Sequence, residues 1–506
     1  MLKPQQVLKI IFYFFLTVLI SQHVILFFTV NFDYADSDQV LVWLGAKHYS
    51  EGLFYEPRFY GQPYNTLMEA LFAVPLIWLK VPVYYAVPIA THIIFLTPFV
   101  FTSIYLFSKN QVEKAILVLA ILLCMPTGYD VMNSIPRGFV TGLFFITFFV
   151  ISLINVNNLK WVLLNTFFSY VGFLVNPNSI LVSVPLLFYL FLLNYKNKKY
   201  YLFSIIGLLM GLPIDFTLNH YYKIHPEAII FNFENPFSIN YFIDAVSHLD
   251  DRFAHIGLFI EESCAITLIV FILLAIYSYN KNKKWFLCFV LFLTIIIVSF
   301  FGQKIADGVV WPYFSLSRMF LAIPVFYALS IVILIAPSKK TIYVITIVVL
   351  IFITFKTITF KERLIYYAQE KLWSHVNLTS VKDAIAFADL YKKVCEQNKA
   401  SAIVIIGWTW RDDIINYAGP ALYNDYPNTF KPHFERRRWR VEEEKKNVYS
   451  TFIIYTRNRD FDKTVKEKYR DITIKRLDDW GCFLISNNKR TTVNFVKYVG
   501  GETAGF

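Results

Sequence analysis

Apolar runs of near-membrane length recur from Ile10 to about Phe355 and then stop. A soluble core has no room for so many fully hydrophobic segments, so the chain reads as a membrane block, 1–357, followed by a polar tail, 358–506. Only 17% of the residues are charged, against about 25% in soluble domains, which excludes an ordinary soluble globule. The 19% aromatic content suits side chains that face lipid tails and anchor at the headgroup level. The net charge of +12 does not mark a nucleic-acid binder. Its Lys and Arg cluster in short loops between apolar runs, where the positive-inside rule accounts for them.

A spanning helix needs about 20 apolar residues. The first run, to about Val30, is too long for a signal-peptide core and lacks a small-x-small cleavage site, so it stays as a spanning helix. Further runs fall near 86–107, 115–125, 139–154, 161–175, 179–194, 201–217, 262–279, 285–301, 316–336 and 341–357. Allowing for soft boundaries, this predicts about eleven to thirteen crossings. Lys196, Lys198 and Lys199, then Lys281, Lys283 and Lys284, then Lys339 and Lys340 mark cytoplasmic loops. Counting from them puts the N-terminus in the cytoplasm, and 31–66, 126–138, 218–261, 302–315 and the tail on the outer face. The run Leu67–Leu79, interrupted by Pro75, suits a re-entrant or interfacial segment.

In the tail, Ala402–Trp408, Val448–Tyr455 and Cys482–Ser486 read as strands and Val381–Lys393 as a helix, which makes a small α/β domain. Its run Glu435-Arg436-Arg437-Arg438-Trp439-Arg440, followed by Glu442–Lys446, reads first as a solvated charged face and second as a dock for anionic headgroups or an anionic acceptor. Cys124 and Cys288 read as core residues and no cysteine makes a metal-ligand spacing. Cys395 and Cys482 could pair in an oxidising compartment.

The first outer loop reads Asn31-Phe32-Asp33-Tyr34-Ala35-Asp36-Ser37-Asp38-Gln39, with three carboxylates directly after a membrane helix. Residues 40–50 follow as an amphipathic stretch, Val40, Leu44 and Ala46 against Lys47 and His48, expected to lie flat on the membrane and hold Asp36 and Asp38 near it. Asp36-Ser37-Asp38-Gln39 resembles the acidic signature of the GT-C class of membrane glycosyltransferases, which includes protein O-mannosyltransferases and aminoarabinose transferases. Phe59-Tyr60-Gly61-Gln62-Pro63-Tyr64, Leu67-Met68-Glu69-Ala70 and Val74-Pro75-Leu76 are similar to segments of a bacterial branch of that class. The likeness is specific over about 30–80, weaker over 126–180 and architectural elsewhere.

The resemblance implies a GT-C-like polytopic α-helical fold with the tail as an extracytoplasmic α/β domain, in a bacterial inner membrane. It implies a sugar donor on a polyprenyl phosphate, an acceptor hydroxyl on a protein, glycan or lipid, and a loop carboxylate as the base. Here that base is Asp38 or Asp36. One departure stands out: the pattern has an acid after the second Asp, and this chain has Gln39, an amide that neither takes a proton nor binds a metal firmly. A divalent Mg or Mn on Asp36 and Asp38 is therefore left open.

Moving a glycosyl group from phosphate to hydroxyl also needs positive charge at the departing phosphate. Arg318, which opens a spanning run, Arg137 in Ser134–Gly138, Arg252 and Lys304 are the outer-face cations, with a structural ion pair as the competing reading. Arg318, Arg137 and Lys304 are assigned to the phosphate. Asp130, on the same loop as Arg137, together with Glu69, Tyr60, Gln62 and the turn residue Asn176, is assigned to the pocket. The scattered His residues read as satisfied polar groups, and Glu261 and Glu262 as acids favoured at a helix N-terminus. The predicted function is inverting, polyprenyl-phosphate-dependent glycosyl transfer at the outer face. The rival is a non-catalytic, degenerate relative that holds a membrane-complex partner through its tail. A transporter, with related halves and midplane charges, finds no repeat here.

Overall fold

Lipid cannot satisfy backbone N–H and C=O groups, so a chain entering it must close its own hydrogen bonds along a helix. In the computed structural model the apolar runs lie on helices: Pro4–Leu26, Val83–Ser108, Val112–Leu123, Thr141–Ile154, Leu159–Val175, Ile180–Asn194, Lys198–Ile224, Ala265–Lys281, Lys283–Ser299, Ile323–Leu334 and Lys339–Gln369. The structure describes residues 3–156, 158–231, 236–369, 378–407, 409–478 and 481–499. Among them six helices are long and apolar enough to cross a membrane alone, and Val112–Leu123 with Thr127–Ser134, bent by 88°, makes a seventh. The count differs from the expected eleven to thirteen because several runs form helices too short for a straight crossing. The run at 139–154, for instance, begins as a tighter 3-10 segment, Thr141–Phe148, before its α-helical end.

The chain forms two compact units that do not follow its order. The first comprises Met1–Asn31, Pro88–Thr217 and Glu234–His375; the second comprises Phe32–Val87, Leu218–Phe233 and Val376–Phe506. In the first, helix Val112–Leu123 is buried except at Glu113 and Lys114 and packs against helices Pro4–Leu26, Ile323–Leu334 and Lys339–Gln369. An aromatic stack of Trp285, Phe326 and Phe292, with ring centroids 5.3 and 4.0 Å apart, knits the same core. Its outward side chains include Phe216, Phe355 and Ile358, about 70% exposed, as a lipid-facing surface requires. This is an integral membrane protein.

Two acids tie this unit together, neither in the way its sequence position suggests. Asp130 does not face Arg137; its carboxylate accepts from Lys356 Nζ at 2.6 Å, which also donates to Met125 O at 2.9 Å, and both side chains are 3% exposed. Glu261 precedes helix Ala265–Lys281 by four residues, too far to serve its first turn. It accepts instead from Gly128 N–H at 2.9 Å, from Tyr367 Oη at 2.6 Å and from Arg363, and lies 3.0 Å from His255 Nδ1. Burial works to raise the Glu261 pKa, but His255, Tyr367 and Arg363 hold it below its ordinary value.

In the second unit, helix Ser37–Ser50 packs on Met68–Trp78 on one side and on Trp410–Leu422 on another. Val40 to Ala46 are all buried, so this helix is a core element and not the surface-lying amphipathic stretch expected from sequence. Its neighbours belong to distant parts of the chain, which a local polar/apolar pattern does not register. A two-residue antiparallel ladder, β1 (Tyr34–Ala35) with β2 (Thr379–Ser380), joins the loop to the tail.

The tail's sheet has five strands: β3 (Ala402–Ile406), β4 (Asn428–Phe430), β5 (Phe452–Thr456), β6 (Thr473–Arg476) and β7 (Cys482–Ser486), in the order β4-β3-β5-β7-β6. β3 runs parallel to β4 and β5, and its continuous apolar sequence reflects burial on both faces. β7 is antiparallel to β5 and β6. The expected strands match β3, β5 and β7; Trp408 lies outside the described residues. Helix Val381–Asn398 buries Val381, Ala384, Ala388, Tyr391 and Cys395, the stripe of an amphipathic helix. Cys395 and Cys482 are buried free thiols in one apolar cluster.

Asp130→Asn alone strands the Lys356 ammonium and should lower unfolding stability by about 3–5 kcal/mol. Asp130→Asn combined with Lys356→Met should recover most of that loss. Thermal melts of the detergent-solubilised single and double variants check it; additive losses would exclude a coupled pair.

Candidate functional site

The acidic loop is organised by a helix start. Asp36 has extended backbone geometry and is the N-cap of helix Ser37–Ser50; its Oδ1 accepts the Gln39 N–H at 2.8 Å. It is fully buried. Capping leaves the next acid, Asp38, in the first turn, where the helix dipole favours a negative charge. Asp38 is 19% exposed and its Oδ1 is bonded by Arg436 Nη1.

Arg436 belongs to the run expected to be a solvated face, and that expectation is corrected here: Glu435, Arg436 and Arg437 are all buried. Arg436 lies over the Phe231 ring at 5.1 Å. Arg437 donates to Glu435 at 3.0 Å through both Nε and Nη2, to Asn416 Oδ1 at 2.8 Å and to Thr429 O at 3.0 Å. Glu435 also accepts from Asn416 Nδ2 at 2.7 Å. Burial raises the Glu435 pKa, yet Arg437 and Asn416 keep it below its ordinary value. The run is polar because it forms a buried network, each member satisfying another. Nothing in the local sequence separates this from a solvated patch.

The Tyr60-Gly61-Gln62 segment is built around a buried acid that sequence reasoning passed over. Glu56 Oε2 accepts the Gly61 N–H at 3.1 Å. Burial pushes the Glu56 carboxyl up to about 8, against the opposing pull of Gly61 and Arg438. Gly61 has φ +79°, and a Cβ there would sit 3.4 Å from the Arg436 backbone, so the position needs glycine. Its carbonyl accepts from the N–H groups of Ile230 and Phe231, and Gln62 O accepts from Tyr222 Oη at 3.1 Å. Tyr60, fully buried, places its Oη 3.0 Å from His48 Nδ1. Burial, with Arg437 and Lys47, lowers His48 to about 3, so the ring is neutral at physiological pH. Glu69, in the first turn of helix Met68–Trp78, is buried.

The cations assigned to a phosphate converge within the membrane unit. The segment 307–316 folds back on itself, with Val309 N–H donating to Phe314 O at 2.9 Å and Leu316 N–H to Val309 O at 2.8 Å. Arg318 lies along it, donating to Ser315 O at 3.1 Å, pairing with Asp307 at 3.5 Å and covering the Phe314 ring at 4.6 Å. Gly308, φ +136°, permits this approach, since a Cβ there would meet Arg318 Nη1 at 2.6 Å. Arg137 donates to Tyr313 O on the same segment. Asn176 donates to Gly138 O, and Asn178 donates to Arg318 O at 3.3 Å. Burial and the nearby Arg318 lower Lys304 to about 8, with Asp307 opposing. Arg252, by contrast, is committed to Asp244 at 2.5 Å.

The residues expected to bind a divalent metal do not make a cage for one. Asp36 caps the helix, Asp38 is held by Arg436, and among the described residues no group of three or more His, Cys, Asp or Glu converges. Two carboxylates so engaged do not fit a dedicated Mg or Mn site.

These features define a GT-C-like fold: a polytopic helical membrane unit and a second unit that combines an acidic first loop with a small α/β domain. The crystal structure of ArnT from Cupriavidus metallidurans bound to undecaprenyl phosphate is similar to this chain with a TM-score of 0.56, at 10% identity, over 93% of this chain and 97% of that one. No family model matches the sequence. No curated protein matches it either.

Glu56→Gln should change the pH dependence of stability with a defined sign. Because the folded pKa is raised, the unfolded chain releases this proton first, so Glu56 makes stability fall between about pH 4.5 and 8. Melting curves of Glu56→Gln should flatten in that window, and an unchanged slope would exclude a buried neutral Glu56. Asp36→Ala should cost about 0.5–2 kcal/mol as a lost cap, with Asp36→Asn retaining most of it.

Proposed function

We propose that the protein is a membrane glycosyltransferase that moves a sugar from a polyprenyl phosphate to an acceptor hydroxyl, with inversion, on the outer face of a bacterial inner membrane. The observation that carries this reading is the gathering of Arg318, Arg137, Lys304 and Asn178 around one folded-back segment, 304–318, with Asn176 holding the Gly138 carbonyl beside Arg137. Such a cluster of partly desolvated cations is suited to an anionic group. The likeness to a protein crystallised with undecaprenyl phosphate supports that choice of anion. Exposed Lys196, Lys198, Lys199, Lys281, Lys283, Lys284, Lys339 and Lys340 support a cytoplasmic placement of their helix ends, hence a cytoplasmic N-terminus and an outer tail.

In this mechanism Asp38 takes the proton of the acceptor hydroxyl as that oxygen bonds to the anomeric carbon. The bond from that carbon to the phosphate oxygen breaks, and the polyprenyl phosphate leaves with the electron pair. Arg318 and Arg137 stabilise the growing charge on the phosphate, and Lys304 adds to them while protonated. Arg436 fixes the orientation of the Asp38 carboxylate, Asp36 fixes the helix start that presents it, and Glu69, Tyr60 and Gln62 belong to the pocket. No step requires a metal.

A second reading, a non-catalytic membrane subunit, is favoured by the same geometry in one respect. Capping by Asp36 and pairing of Asp38 with Arg436 are complete structural roles, and Gln39 occupies a place where the resembled pattern has an acid.

Asp38→Asn separates the two. Release of polyprenyl phosphate from a polyprenyl-phosphate sugar, followed by mass spectrometry, should fall by about 10²–10⁴-fold in protein that still expresses and unfolds cooperatively, at a melting temperature lowered by the loss of the Arg436 pair. Equal turnover would remove Asp38 as the base. Donor affinity should also weaken as pH rises through about 8, where Lys304 loses its proton, and Lys304→Arg should abolish that weakening.

A further inference from the structure

The second unit contains a cavity of about 290 Å³ at the far end of helix Ser37–Ser50 from Asp38. Its lining includes Lys47 and His48 from that helix, Tyr55 from the loop, and Tyr423, Asn424 and Trp439 from the tail. His48 is ten residues beyond Asp38, which at a rise of about 1.5 Å per residue places the cavity about 15 Å along the helix from that carboxylate. It is therefore a separate subsite, at the lower end of the ligand-pocket range of about 300–1,000 Å³.

Two properties define what it can hold. The first is aromatic surface. The partly exposed Trp439 ring is stacked on Tyr55 at 4.4 Å with an interplanar angle of 0°, and Tyr60 braces it edge-on at 4.7 Å. A second pair, Tyr423 and Tyr426, lies near-parallel at 6.3 Å on the lining. The second property is charge balance. Lys47 is paired with Glu51 at 2.9 Å, Arg440 with Glu443 at 2.7 Å and Glu444 at 2.8 Å, and Arg437 with Glu435 at 3.0 Å. His48 adds no charge at physiological pH. An anionic ligand would have to break one of these pairs to gain a cation, whereas the remaining amides and paired ions offer many hydrogen-bonding groups in fixed positions.

Flat aromatic faces beside dense, neutralised hydrogen-bonding groups suit a molecule with C–H faces and a rim of hydroxyls. We propose that this cavity binds a neutral saccharide unit of the acceptor, so that the acceptor is a glycan or glycoconjugate extending about 15 Å from the reacting hydroxyl. The identification of that saccharide as the acceptor rests on the transferase reading above; the binding of a neutral saccharide does not.

The test uses the full-length protein in detergent on a printed array that carries neutral and anionic bacterial glycans together with serine- and threonine-containing peptides. Expected is binding to neutral glycans, reduced at least tenfold by Trp439→Ala. Because Trp439→Ala removes packing against Tyr55, Asn424→Trp, which fills the mouth from an exposed position, provides a second variant and should reduce binding equally with unchanged melting. Binding only to anionic glycans or only to peptides, no binding at all, or binding indifferent to Asn424→Trp would overturn the proposal. Asp38→Asn is measured alongside. Neutral-glycan binding retained in a wild-type protein that transfers no sugar would leave the saccharide site standing and remove the transferase reading.

Discussion

A carboxylate and a guanidinium drawn out of water stabilise each other, and the Asp38–Arg436 pair uses that fact to join residues 398 positions apart. Breaking one side of a buried pair leaves the other charge uncompensated, at a cost of about 3–5 kcal/mol when burial is complete. The pairing makes helix Ser37–Ser50 an interior element and turns a loop after the first membrane helix into part of the same compact unit as the tail. Around it, the Glu435, Arg437 and Asn416 network and the Glu56–Gly61 bond hold the neighbouring segments in place.

The same principle organises the membrane unit. Asp130 with Lys356, and Glu261 with Arg363, His255 and Tyr367, connect helices through buried polar contacts, because an ionised group in an apolar setting needs a partner. The 304–318 segment is where several cations gather, with Arg318 paired to Asp307 and Arg137 bonded to the Tyr313 carbonyl.

Stability and chemistry are therefore hard to separate in this protein. Asp36 caps a helix, and Asp38 is both an ion-pair partner and the proposed base. Glu56 is held as a neutral carboxyl by burial and also orders the Tyr60-Gly61-Gln62 backbone. A residue that is structurally engaged is also one whose position is fixed, which is what proton transfer at a defined atom demands.

Much of the architecture was legible from sequence. Hydrophobic runs, lysine-marked loops and the strands β3, β5 and β7 follow from local composition, because lipid and buried sheet each impose their pattern residue by residue; the division expected at about residue 357 does not, since helix Lys339–Gln369 runs through it and the second unit gathers Phe32–Val87, Leu218–Phe233 and Val376–Phe506. The short edge strands β4 and β6 carry too few apolar residues to register, and the number of full-length crossings depends on where each helix breaks. The acidic loop and its cations could be listed from sequence, but their partners could not. That Arg436 would meet Asp38, that Lys356 would take Asp130, and that a charged run would be buried were decided only by tertiary structure. Charge pairing depends on distance in space, and a linear sequence records only distance along the chain.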